Sequence, residues 1–135
     1  MSEPKGSLTA AQYEIMSAVW DAGAEGISVA DIWQAINQTR AIGRTTVLNQ
    51  VDRLEKRDWL ARVPADGPTR FRATLTREDA SRQLVAGFVA DFFDGSTVEL
   101  MSALLGSEAC DLTKKDVDKL RKLLQQARRR EEGQS

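Results

Sequence analysis

Between Gly43 and Thr74 the apolar residues change period, and that change constrains the chain more than any other feature. Through "GRTTVLNQVDRLEKRDWL", Gly43 to Leu60, the spacing is helical. On a helix turning about 100° per residue, Val47, Val51 and Leu54 fall on one side, and Thr45, Thr46, Asn49, Arg53 and Lys56 on the other. The acids Asp52 and Glu55 sit to one flank of this polar, basic face. From Leu60 the pattern alternates: Leu60 to Val63 and Arg70 to Thr74 read as two short strands. They are joined by Pro64-Ala65-Asp66-Gly67-Pro68-Thr69, whose glycine and two prolines suit a loop and not a ladder. In "RFRAT", Phe71 and Ala73 can face inward and Arg70 and Arg72 outward.

Two capped helices precede this segment. Thr9 with Gln12 forms a capping-box pattern, stapled by Leu8 and Tyr13, and predicts a helix to about Asp21, ended by Ala22-Gly23. Ser28, with Ile27 and Ile32 as staple, predicts a second helix to about Gln38. Three further starts follow at Thr76, Ser96 and Thr113, each with an acid three residues on. The third helix has the weaker start, with Gly43 as its cap, and an end near Arg57 or Asp58. Trp20, Trp33 and Trp59 each lie on or beside an apolar stripe and read as core before ligand stacking.

Three helices followed by a basic hairpin is the order of a winged helix-turn-helix, so the expected class is mostly α with a small β-hairpin. The expected segments are a flexible head at 1–7, a winged-helix DNA-binding domain at 8–75, a helical dimerisation domain at 76–128 and a flexible tail at 129–135. In such a fold the third helix enters the DNA major groove. Thr45 and Thr46 are short enough for phosphates or thymine methyls, Asn49 can pair with adenine, and Arg53 with guanine or phosphate. The candidate DNA contacts are Arg44, Thr45, Thr46, Asn49, Gln50, Arg53 and Lys56 on the helix, and Arg62, Arg70 and Arg72 on the wing. A carboxylate on that helical face would be driven against phosphate oxygens. The competing reading is a winged helix serving as a protein-interaction module that meets an acidic partner.

Charge agrees with a localised surface that binds a polyanion. The chain of 135 residues has a net charge of -1, which argues against coating nucleic acid through bulk charge. Residues 1–39 carry one base and five acids, 40–72 eight and four, and 73–135 ten and eleven, giving -4, +4 and -1. There is no histidine and one cysteine, Cys110. No Ser-His-Asp or Cys-His pair, internal disulfide or usual transition-metal site can be assembled, and no glycine-rich phosphate loop is present. An enzyme is therefore not expected, nor a cofactor or metal, and Cys110 reads as structural or incidental. "MSEPKGS" lacks the apolar core of a signal peptide, and no stretch approaches the roughly 18 apolar residues of a membrane span, so a cytoplasmic location is expected.

In the C-terminal third, apolar residues recur at helical spacing from Leu84 to Leu124. Three helices cannot readily hide so wide an apolar surface in one small appendage, and a partner chain on a two-fold axis is the economical solution. The candidate dimer residues are Leu84, Phe88, Phe92, Leu100, Leu104, Val117, Leu120 and Leu124. The alternative is that they pack back on the winged helix.

"LTAAQYEIMSAVWDAG", "SVADIWQAI", "RTTVLNQVDRLEKRDWL" and "RFRATLTRED", in that order and spacing, resemble the penicillinase-repressor family of bacterial regulators, the BlaI/MecI/CopY type. The resemblance runs from about Leu8 to the last helix. It implies a dimeric repressor with a winged helix on each half-site of a palindromic operator. Its most specific elements are Trp20 and "TTV" followed by "RLEK". It also implies release by a sensor protease or another inducer, and the bond matching the family's cut lies near Ala103-Leu104. Two departures stand out. Relatives usually place a glycine after helix three where this chain has Arg57-Asp58, which bears on the turn into the wing. The paired CxC motifs of the copper-responsive branch are missing, so metal sensing is not implied.

Overall fold

The structure, a computed structural model, describes residues 4–107 and 111–133. Its elements run α1 (Ala10–Ala22), β1 (Ile27–Ser28), α2 (Val29–Asn37), α3 (Arg44–Lys56), β2 (Leu60–Val63), β3 (Arg70–Ala73), α4 (Arg77–Phe92), α5 (Thr97–Leu105) and α6 (Lys114–Gly133). The chain divides into two compact units, residues 1–92 and 93–135.

In the first unit, α1 opens on a full capping box. Thr9 Oγ1 accepts from the Gln12 N–H and Gln12 Oε1 accepts from the Thr9 N–H, both at 3.1 Å. The helix ends where Gly23 takes φ 79 and donates to the Trp20 carbonyl. Ser28 caps α2 through the Asp31 N–H. The stripes of α1 (Ile15, Met16, Val19), α2 (Ile32, Ile36) and α3 (Val47, Val51, Leu54) meet Trp59, Leu60 and Phe71 in one core, closed by Ala80 of α4. Complete burial of side chains this size contributes roughly 1.5–3 kcal/mol each.

All three tryptophans are structural. Trp59 is fully buried, and Trp20 and Trp33 pack against the core. Their indole N–H groups donate to the carbonyls of Lys5, Leu75 and Ile42 respectively.

The hairpin is part of a three-stranded antiparallel sheet in the order β1-β3-β2. The extra strand, β1, pairs Ile27 with Phe71 and Ser28 with Arg70. Two residues carry no period, so nothing in the sequence announces this strand. Its enabling residue is Gly26, at φ 84, where a Cβ would lie 3.1 Å from Arg70 Cβ, the Phe71 carbonyl and Val63 Cγ2.

Residues 4–7 and 129–133 make contacts that the sequence pattern does not announce. Lys5 donates to the Arg57 carbonyl, the Arg57 side chain donates to the Lys5 and Ser7 carbonyls, and Gln83 donates to the Pro4 carbonyl. At the other end α6 runs to Gly133, past the expected limit at residue 128, with an Arg128–Glu132 ion pair one turn apart.

In the second unit, Ser96 caps α5, and Thr113 with Asp116 forms a reciprocal box at the start of α6. Neither helix buries a residue among those described. Cys110 lies outside the described residues.

Candidate nucleic-acid interface

Helix α3 is fixed by its apolar stripe, which leaves Arg44, Thr45, Thr46, Leu48, Asn49, Asp52, Arg53 and Lys56 exposed. Its N-terminus differs from those of the other described helices. Thr9, Ser28, Thr76, Ser96 and Thr113 cap α1, α2, α4, α5 and α6 with a hydroxyl, whereas Gly43 caps α3 without a side-chain hydrogen bond. The first-turn N–H groups of α3 are thus left for an outside acceptor, at the end of the helix whose dipole favours an anion. Arg44 stands over the Trp33 ring, 4.5 Å from its centroid, which holds its charge beside that terminus.

The two acids on the flank of α3 are neutralised. Asp52 pairs with Lys56 at 2.9 Å, and Glu55 pairs with Arg62 Nε at 2.7 Å. The hydrogen bond to Glu55 holds the Arg62 guanidinium even more firmly protonated than usual. Both cations are largely exposed, and exposed pairs are worth at most about 1 kcal/mol. Lys56 and Arg62 can therefore exchange these carboxylates for phosphates at small cost.

The other predicted contacts do not all share this face. Gln50 turns toward α1, where its Oε1 accepts from Gln12 Nε2 at 3.0 Å. Gln12 is buried, and its Oε1 also accepts from Arg57 Nη1. In the wing, the register pairs Leu60 with Ala73, Ala61 with Arg72, Arg62 with Phe71 and Val63 with Arg70. Alternation then puts Leu60, Arg62, Phe71 and Ala73 on the sheet face that meets the helices, and Arg70 and Arg72 on the reverse. The three wing arginines do not form one surface. Arg62 stands in the cleft beside α3, and Arg70 and Arg72 are exposed behind it.

Spacing alone gives Leu48 and Arg57 no functional role. Leu48 falls between the apolar stripe and the polar face, where helical periodicity assigns no side. Arg57 read as one more base in a basic stretch, and only its hydrogen bonds to the head show it as a clasp.

Of the predicted dimer residues, Leu84 packs partly against the winged core. Phe88, Phe92, Leu104 and Leu124 are exposed, and Leu100, Val117 and Leu120 are half-buried. The Ala103-Leu104 bond lies inside α5 with both residues exposed. Among the described residues no three His, Cys, Asp or Glu side chains gather as a metal site, and no helix is long and apolar enough to cross a membrane.

Three helices, a sheet-borne wing and a solvent-facing third helix define the winged-helix class of DNA-binding regulators. The chain belongs to the penicillinase repressor family, whose model matches residues 8–126. No curated protein sequence matches it. Among solved structures it is similar to the oxidized form of MarR from E. coli, with a TM-score of 0.47 and 21% identity, over 89% of this chain and 75% of that one.

Proposed function

We propose that the protein is a dimeric transcriptional repressor that places α3 in the major groove of each half-site of a palindromic operator. The observation that carries this reading is the exposed face of α3. Thr45, Thr46, Asn49 and Arg53 project from it, its N-terminus is open to phosphate, and its flanking acids are paired with Lys56 and Arg62. Asn49 and Arg53 read base edges, and Arg44, Lys56 and Arg62 contact phosphates and set the register.

The exposed apolar side chains Phe88 and Phe92 of α4, with Leu104 of α5 and Leu124 of α6, join two protomers. Holding both half-sites makes the second contact intramolecular, so separating the subunits lowers operator affinity by ~10²–10⁴. Release follows from that loss, through a sensor protease cutting between Ala103 and Leu104 or through another inducer. Because this bond is helical, a protease must first unwind the last turn of α5.

Selection of duplexes from a random pool tests the reading. An enriched palindrome, bound with an affinity that falls steeply with salt, is the expected result. Enrichment of no sequence over scrambled DNA would overturn it.

A further inference from the structure

Leu48 is a large apolar side chain, 53% exposed, on the same stretch of α3 as Thr45 and Asn49. It takes no part in the hydrophobic core. It forms one wall of the cleft between α3 and the wing, whose lining includes Ala30, Arg62, Thr69 and Phe71. A solitary exposed leucine carries little information by itself. Its setting carries more: Arg44 precedes it by one turn, Arg53 follows, and Arg62 stands across the cleft, so a polyanion is the occupant that complements the charge.

The four bases offer the major groove a single apolar group, the C5-methyl of thymine. From this match we infer that Leu48 is a specificity-determining residue that packs against a thymine methyl in each half-site, beside the base read by Asn49. The inference rests on the DNA-reading role proposed above. Thr45, one turn earlier on the same side, adds its own methyl to the contact. The residue makes the site selective for A·T at that position without a hydrogen bond.

The test uses the full-length protein and the operator recovered by selection, with each symmetric pair of thymines replaced in turn by deoxyuridine. This removes the methyl and keeps the base pairing. One methyl is worth about a four-fold change in affinity, so a pair of half-sites loses about 15-fold at the thymines that Leu48 touches. Leu48→Ala should bind about equally to the thymine and deoxyuridine forms at that position, while keeping its sensitivity to other substitutions and its thermal midpoint. If deoxyuridine sensitivity persists unchanged in Leu48→Ala, or no thymine methyl matters to the wild-type protein, the inference is overturned and operator binding still stands. A lowered thermal midpoint with methyl sensitivity intact would assign Leu48 to packing of the cleft, which also overturns it. Failure of the wild-type protein to select any duplex would remove the repressor reading first, and this inference with it.

Discussion

Trp59 donates its main-chain N–H to the Leu54 carbonyl at 2.9 Å, spanning a turn in which Asp58 sits at φ 65 and donates to the Glu55 carbonyl. The two bonds are those of a Schellman motif, and both Trp59 and Leu54 are core residues, as that motif favours. The wing therefore leaves α3 through a left-handed residue even though glycine is absent there. The Asp58 carbonyl accepts from Thr74 Oγ1 at 2.6 Å, which ties the turn to the far end of β3.

Left-handed backbone costs an L-residue roughly 1–2 kcal/mol, somewhat less for Asp. Asp58→Gly should therefore raise stability by about 0.5–1 kcal/mol, and Asp58→Val should lower it by roughly 1–3 kcal/mol. Denaturant midpoints at constant m-value check both. A stabilised valine variant would contradict the turn assignment.

Arg57 and Arg53 should separate folding from binding. Arg57→Ala strips a donor from the buried Gln12 and from the head, and should cost about 1–3 kcal/mol of stability. It should also expose residues 4–7 to proteolysis. Arg53→Ala should leave the melting curve in place and cost about 1–3 kcal/mol of operator binding, with less lost on random DNA. Melting and binding curves for the two variants measure this directly, and reversed roles would refute it.

The wing arginines should differ from the helix residues in what they report. Asn49→Ala should relax sequence preference, whereas Arg62→Ala should weaken operator and random duplex alike, and Arg70→Ala and Arg72→Ala, on the reverse of the sheet, should weaken both less. Each lost phosphate contact should reduce the salt slope by about 1. Equal losses on both duplexes for Asn49→Ala would rule out base reading by that residue.

Self-association can be probed without disturbing the fold, because Phe92 is 71% and Leu124 68% exposed. Phe92→Asp or Leu124→Asp should give a folded monomer by sedimentation and circular dichroism. Operator affinity should fall with the dimer. A dimer that survives both changes would move the interface elsewhere.

Acid should act on the Glu14–Arg40 pair. The hydrogen bond from Arg40 holds the Glu14 carboxyl below its ordinary range. A carboxyl lowered in the folded state stabilises above its unfolded pKa, and this contribution is lost as pH falls through the folded value. The pair is half exposed, so the effect is small. Glu14→Gln should lower stability slightly at neutral pH and converge with the unaltered protein in acid, so that the acidic limb of a stability–pH profile is slightly flatter.

How much the sequence could disclose depended on how local the cause was. The caps at Thr9, Ser28, Ser96 and Thr113 are bonds within three residues, and the stripes of α1 to α3 are periodic, so the helices and their core-facing sides were legible. So were Thr45, Asn49 and Arg53, since any helix with Val47, Val51 and Leu54 buried must turn them outward. The strand β1, the clasp of Arg57 on the head, the diversion of Gln50 to Gln12 and the division of Arg62 from Arg70 and Arg72 were not. Each depends on a partner between 38 and 52 residues away, or on strand register. A sequence specifies side chains and their spacing, which determine the faces of single elements. Which face meets which neighbour is decided only when the elements share one core.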